Sequence, residues 1–267
     1  MMPPWSDALT ARLTTLCAAP HLLLCCDYDG TLAPIAASPD EAMLWAEAGA
    51  LLPALANAPN TRVAVISGRP LHNLRQQSRL ESPVLLVGSH GAESSLHPAA
   101  ALGDSQRAEL TRLRDEVAAM CAAVTGSWIE DKPFGLAVHV RQADAREATR
   151  LLARIQCGPA SWPGVYATPG KAVLDLSISA RNKGHAVAQL RAEWGTDPGV
   201  LYLGDDETDE AAFRILGATD VGVKVGAGDT CAGYRVTSDA EVPALLAMVH
   251  ARRIGGAHPG GAHPGGA

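Results

Sequence analysis

Two aspartates, Asp27 and Asp29, stand two residues apart, directly after the apolar run 22–26 and directly before Gly30 and Thr31. Residues two apart on a strand point the same way. Two carboxylates crowded into a dry site repel, and a divalent cation is the simplest way to keep both ionised. Gly30 lets the backbone turn sharply just past the pair. Two other readings compete. Asp and Gly are common in turns that close a strand. D-x-D-G also opens a calcium loop, but that loop needs further oxygen ligands and a glutamate at its twelfth position, and Thr31-Leu32-Ala33-Pro34-Ile35 offers neither the spacing nor the oxygens.

Three more polar sets follow: Ser67-Gly68-Arg69, His90 with Glu93, and Asp205, Asp206 and Asp209 within Gly204 to Glu210. Lys183 joins them ahead of the last set. Taken singly, Ser67-Gly68 is a strand-to-helix turn, Lys183 a solvated lysine, and the acidic run an exposed helix start favoured by the helix dipole. His90 before Gly91 also reads as a structural turn histidine.

The elements that must position these groups can be read from the pattern. Residues 21–26, 61–66, 83–87 and 200–203 are short apolar runs that read as buried strands. Helical spacing over 9–16, over 71–79 and from Lys183 to 194, and a helix-start signal at Ser38-Pro39-Asp40-Glu41 leading to about residue 58, place helices between and before them. Successive strand–helix units predict right-handed crossovers and a parallel sheet. The polar sets then share its carboxyl edge, where open α/β sheets bind ligands. The pattern changes after residue 97. A long helix at 104–124, a strand at 135–141 that alternates as though half-exposed, a helix at 144–155 and a hairpin-like pair at 165–168 and 172–176 predict a separate α/β module with an antiparallel sheet. The expected organisation is an α/β fold: a Rossmann-like core from 1–97 plus 181–254, an inserted smaller α/β unit at 98–180, and a disordered Gly/Ala/His/Pro tail at 255–267.

Composition excludes several classes. The chain has 267 residues and a net charge of −6, which argues against nucleic acid or a membrane surface as the main partner. Its six cysteines include no C-x-x-C pair, which suits reduced, buried thiols in the cytoplasm. The N-terminus lacks the signature of a signal peptide.

Asp-x-Asp-Gly-Thr, Ser-Gly-Arg, Lys-Gly and Gly-Asp-Asp-x-x-Asp, in this order, resemble the haloacid dehalogenase superfamily of phosphohydrolases. Four closer signatures resemble the trehalose-6-phosphate phosphatase family within it. They are Gly-Ser-His-Gly-Ala-Glu at 88–93, Glu130-x-Lys132 followed by Leu136 to Arg141, Pro169 to Asp175, and Gly204 to Glu210. Two positions depart from the family: Asp175 stands where a glutamate is usual, and Leu176-Ser177-Ile178-Ser179 where a basic residue and proline are more common.

The resemblance implies a Mg²⁺-dependent phosphatase that releases trehalose and phosphate from trehalose 6-phosphate. It makes Asp27 the nucleophile, giving an aspartyl phosphate, and Asp29 the general acid and then base. It implies Mg²⁺ ligands in Asp27, Asp29 (by its carbonyl) and Asp205, with Asp206 and Asp209 completing the shell. Lys183, Ser67 and Gly68 would hold the phosphoryl oxygens. The insert would be a lid whose Glu130, Lys132, Asp175 and, less directly, Lys171 and His139 meet the sugar, with Arg69, His90 and Glu93 at the core's edge. A trehalose-phosphate synthase is the expected pathway partner. Rival readings are a phosphatase of sucrose phosphate, mannosyl-phosphoglycerate or another phosphosugar, a mutase, and an inactive sugar-phosphate sensor.

Overall fold

A computed structural model of the chain describes residues 5–36, 41–97, 102–170 and 172–255. Lys171, the tail beyond 255 and most of the helix-start signal at 38–40 lie outside the described residues. The chain begins with α1 (Asp7–Cys17), β1 (Leu22–Cys26), α2 (Ala46–Ala56), β2 (Thr61–Ile66), α3 (Leu71–Ser78), β3 (Leu85–Gly88) and the two-residue β4 (Glu93–Ser94). It continues through α4 (Asp104–Cys121), β5 (Trp128–Lys132), β6 (Gly135–His139), α5 (Ala145–Cys157), β7 (Tyr166–Gly170) and β8 (Val173–Ser177). It ends with α6 (Lys183–Ala192), β9 (Gly199–Gly204), the short α7 (Glu210–Phe213), β10 (Val221–Val225), β11 (Tyr234–Val236) and α8 (Val242–Gly255).

Every residue of β1 is buried, because the strand lies in the middle of a seven-stranded sheet ordered β11-β10-β9-β1-β2-β3-β4. Alternation divides its side chains between two cores. Leu22, Leu24 and Cys26 pack with residues of α1, α2 and α8, and Leu23 and Cys25 with residues of α6 and α7. The strands are parallel except at the β3–β4 edge. β2 lies on one side of β1 and β9 on the other. The carboxyl end of β1 is therefore a point where strand order reverses, the place such sheets use for ligands.

The second sheet is antiparallel, ordered β5-β6-β8-β7. One face is apolar: Leu136, Val138, Leu174 and Leu176 pack against Leu113, Val117, Leu151 and Ile155 of α4 and α5. The other face carries cross-strand rows rich in polar residues, one of them Glu130, Asp175 and Thr168 with Ala137 between the first two.

Three expectations are corrected. The helix foreseen from residue 39 begins at Ala46, since the chain just before it is tied to the loop after β1. Tyr28 Oη donates to the Ala42 carbonyl at 3.0 Å, and the Trp45 N–H to the Leu32 carbonyl at 3.0 Å. Gly135 to Val138 are buried rather than half-exposed, because β6 is an interior strand with helices on one face and the facing loops on the other. Residues 128–132, to which the sequence pattern assigned no element, form strand β5.

Candidate active site

The site is assembled at the reversal point. β1 delivers Asp27, whose N–H donates to the Leu203 carbonyl of β9 at 2.9 Å. β9 ends at Gly204, and the next turn carries Asp205, Asp206 and Asp209. One carboxylate oxygen from each of Asp27, Asp205 and Asp209 lies within 4.8 Å of the others. Gly30 is required beside them. Its φ is +83°, and a Cβ there would stand 2.2 Å from the Asp205 carboxylate.

Lys183, the first residue of α6, enters this cluster from below and is only 2% exposed. Its Nζ lies 2.8 Å from Asp27 Oδ1 and 2.8 Å from Asp209 Oδ1. Burial alone would lower its pKa, but the charges of Asp209 and Asp27 outweigh this and hold it well above the lysine range. Burial, and after it the charge of Asp209, push the Asp27 carboxyl well up, while Lys183 works against them. Asp209 also accepts from Tyr202 Oη at 2.6 Å and from the Asp206 N–H at 2.9 Å. Its oxygens are thus more committed to protein donors than a simple ligand's would be. Asp206 lies outside the close trio, and its Oδ1 accepts from the Glu207 N–H at 2.8 Å. Three carboxylates with a single lysine among them form a hard oxygen donor set that fits a divalent cation such as Mg²⁺ or Ca²⁺ better than a thiophilic metal.

Asp29 is turned outward from this cluster. Both its oxygens are taken by Arg69, at 2.7 Å from Nε and 2.6 Å from Nη2. Ser67, at the end of β2, is buried, and its Oγ accepts from the Arg69 N–H at 3.1 Å. That leaves the hydroxyl proton available to an anion.

A cavity of about 320 Å³ joins these groups to the polar face of the second sheet. Asp27, Asp29, Ser67, Gly68, Arg69, Lys183, Asp205 and Asp206 line its floor, and Glu130, Lys132 and Asp175 its roof. Lys132 pairs with Asp175 and reaches down to the Gly68 carbonyl at 3.4 Å, linking roof and floor. Burial works against ionisation of Glu130, but a 3.0 Å contact with His139 and the charge of Lys132 outweigh it and hold the carboxyl below its usual range. His90 lines an adjoining cavity of about 270 Å³ that shares Lys132, Asp175, Lys183 and Thr208 as a wall.

Glu93 is not brought to either cavity. It braces the loops instead, accepting from the Leu71 N–H at 3.1 Å and from Ser89 Oγ at 2.6 Å. Several lining residues went unforeseen, among them Trp128, Asn73, Arg141, Gln142 and Thr208. Of these Trp128 carried a signal, since it precedes Glu130 and Lys132 at strand spacing.

A family model described as trehalose-phosphatase matches residues 25–240. The chain belongs to the trehalose-phosphatase family. It is 30% identical over 237 residues to the trehalose-6-phosphate phosphatase of Escherichia coli, covering 84% of each chain. It is 35% identical over 225 residues to a bifunctional trehalose-6-phosphate synthase/phosphatase of Thermoproteus tenax, covering 82% of this chain and 30% of that longer one. The C-terminal domain of trehalose-6-phosphate phosphatase from C. albicans superposes with a TM-score of 0.79 at 22% identity, covering 93% of this chain and 98% of that one, and shows the shared fold. The parallel core is thus the fold shared with that phosphatase domain. Each of the four family signatures contributes residues to one or both cavities, with Glu130, Lys132 and Asp175 on the roof.

Proposed function

We propose that this chain hydrolyses trehalose 6-phosphate to trehalose and phosphate by way of an aspartyl phosphate on Asp27. The observation that carries the proposal is the buried Asp27–Lys183 contact of 2.8 Å, set beneath a roof of Glu130, Lys132 and Asp175. A phosphate monoester dianion repels a carboxylate, so its transfer calls for positioning and neutralised charge. Lys183 and the Ser67 hydroxyl, with the backbone at Gly68, supply donors to the phosphoryl oxygens. Asp27 attacks phosphorus in line. Asp29, once released from Arg69, gives a proton to the departing sugar oxygen and later takes one from the attacking water. Asp27 and Asp205 would hold Mg²⁺, with the Asp29 carbonyl, Asp206 and Asp209 as further donors, directly or through water. Bound there, the ion supplies positive charge that lowers the repulsion between nucleophile and phosphate.

Residues 98–180 act in this proposal as a cap over a core formed by 1–97 and 181–254. Closing the roof excludes water, and its buried polar groups recognise sugar hydroxyls. Arg69 and His90 stand at the seam where the cap meets the core, and Lys171 is kept as a further sugar contact in this proposal. The T. tenax relative bears a synthase in its name, which supports a functional link to a trehalose-phosphate synthase; the reaction suits the cytoplasm. Among the described residues no helix is long and apolar enough to cross a membrane.

The test is phosphate release from trehalose 6-phosphate, with glucose 6-phosphate and sucrose 6-phosphate alongside, in Mg²⁺ and in EDTA. Metal-dependent release that favours trehalose 6-phosphate is expected. Preference for another phosphosugar would overturn the substrate but keep the chemistry. No release from any of them would favour the sensor reading.

A further inference from the structure

The polar face of the second sheet extends beyond the three residues that mark the family. Alternation along β5 places Trp128, Glu130 and Lys132 on that face, and Ile129 and Asp131 on the other. The other face is accounted for: Ile129 packs with the α4–α5 core, and Asp131 pairs with Arg114 of α4 at 2.8 Å. Trp128 thus faces the cleft, where it is 44% exposed and lines the larger cavity.

One face of its ring is set in place. His139, its direct cross-strand partner, stacks on the indole with centroids 3.9 Å apart and planes 9° from parallel. Glu130 holds that imidazole through a 3.0 Å contact. The result is a flat aromatic surface, stacked on one face by the imidazole and otherwise substantially exposed, backed by the His139–Glu130 contact. An exposed tryptophan held rigid by a stack has little rotamer entropy left to lose when a ligand lands on it.

Lys132 marks the phosphate end of the face, because its Nζ reaches the Gly68 carbonyl in the floor loop at 3.4 Å. Trp128 lies four residues back along the strand, about 13 Å away at about 3.3 Å per residue. That distance exceeds one six-membered sugar ring. The group that reaches Trp128 is therefore a unit remote from the phosphate. The negative face of an indole attracts the polarised C–H edge of a pyranose, while the rim of charged residues takes its hydroxyls.

We infer that Trp128 is a specificity-determining platform that stacks on the sugar ring distal to the phosphate, and so selects two-ring over one-ring phosphosugars. The inference rests on the function proposed above and adds a residue and a ring to it.

The test compares wild type, Trp128→Ala and Trp128→Phe on trehalose 6-phosphate and on phenyl phosphate, which fills only the phosphate end. In Trp128→Ala the KM for trehalose 6-phosphate rises about tenfold with kcat held within about twofold, and Trp128→Phe restores most of the affinity. The ratio of kcat/KM for trehalose 6-phosphate over phenyl phosphate falls about tenfold with it. An unaltered KM in Trp128→Ala, or equal losses on both substrates, overturns the platform while leaving the function standing. A wild type that does not turn over trehalose 6-phosphate overturns the function itself. Binding gives a second readout should the alanine variant fail to fold: trehalose added to wild type perturbs the tryptophan emission, and Trp128→Phe lacks that component. Identical emission changes in the two proteins overturn the inference.

Discussion

Asp29 and Arg69 form a bidentate pair, with Asp29 Oδ2 accepting from Nε at 2.7 Å and Oδ1 from Nη2 at 2.6 Å. Such forks are among the stronger charge-assisted contacts, and this one is fixed at its other end. Arg69 is 8% exposed, and its Nη1 donates to Asn73 Oδ1 at 2.8 Å. Both oxygens of the carboxylate are occupied as acceptors, whereas a proton donor must face the departing oxygen. The pair therefore describes a resting arrangement that substrate has to open. Glu130 on the roof already bears electrostatically on Arg69.

Asp29→Asn tests this division of labour. On trehalose 6-phosphate, with its poor alkoxide leaving group, kcat falls by about 10² to 10⁴. On phenyl phosphate, whose phenolate needs less help to depart, the loss is markedly smaller. Arg69→Lys keeps the charge but loses the fork, and lowers kcat/KM by roughly tenfold. Equal losses on both substrates in Asp29→Asn would remove Asp29 from the proton-transfer step.

Lys183 invites a prediction on stability as much as on rate. It stands 2.8 Å from each of two buried carboxylates, and a third, Asp205, belongs to the same cluster. Lys183→Met leaves those charges without their cation, a change that costs about 3–5 kcal/mol when a buried pair is broken from one side. In metal-free buffer the melting temperature drops by roughly 10 °C, at a few degrees per kcal/mol for a chain of this size. Asp27→Asn instead removes one of the repelling carboxylates and leaves the Lys183–Asp209 contact of 2.8 Å in place. Its melting temperature stays within a few degrees of wild type although turnover is lost. Thermal melts of the two variants separate these outcomes, and similar destabilisation of both would contradict the charge argument.

Much of this arrangement was legible in the chain because strands in a parallel sheet are buried on both faces and read as unbroken apolar runs. Residues 22–26, 61–66 and 200–203 announced β1, β2 and β9, and the polar groups after them followed by position. β5 was hidden because Trp-Ile-Glu-Asp-Lys is mostly polar, and only its pairing with β6 makes it a strand. The start of α2 was misplaced because Ser-Pro-Asp-Glu is a sound local signal that tertiary hydrogen bonds to Tyr28 and Leu32 override. Glu93 was grouped with sugar ligands by its motif, yet its hydrogen bonds to Leu71 and Ser89 spend it on the loops. The Arg69–Asp29 fork spans forty residues of sequence, and neither residue type nor spacing announces such a pairing.

His90 leads to the last prediction. It sits at φ 54°, in the left-handed region, and its N–H donates to the Ser67 carbonyl at 2.9 Å. A Cβ on Gly68 would come within 2.5 Å of the imidazole, so the ring lies directly on the floor loop. Burial pushes its pKa from 6.5 down to about 4; the charge of Asp175 opposes this, and Lys183 and Lys132 add to it. The folded chain therefore holds a neutral ring where the unfolded chain binds a proton. Between pH 6.5 and 4 the unfolded state carries more protons, so stability falls as the pH falls. Above that window both states are neutral at this residue, and below it both are protonated, so the loss is confined to it. Its size is at most on the order of 3 kcal/mol. His90→Asn removes the titration while keeping a residue that tolerates positive φ. Urea midpoints measured at pH 7, 5.5 and 4.5 should therefore fall more steeply for wild type than for His90→Asn. Parallel slopes would mean that protonating this ring carries no folding cost.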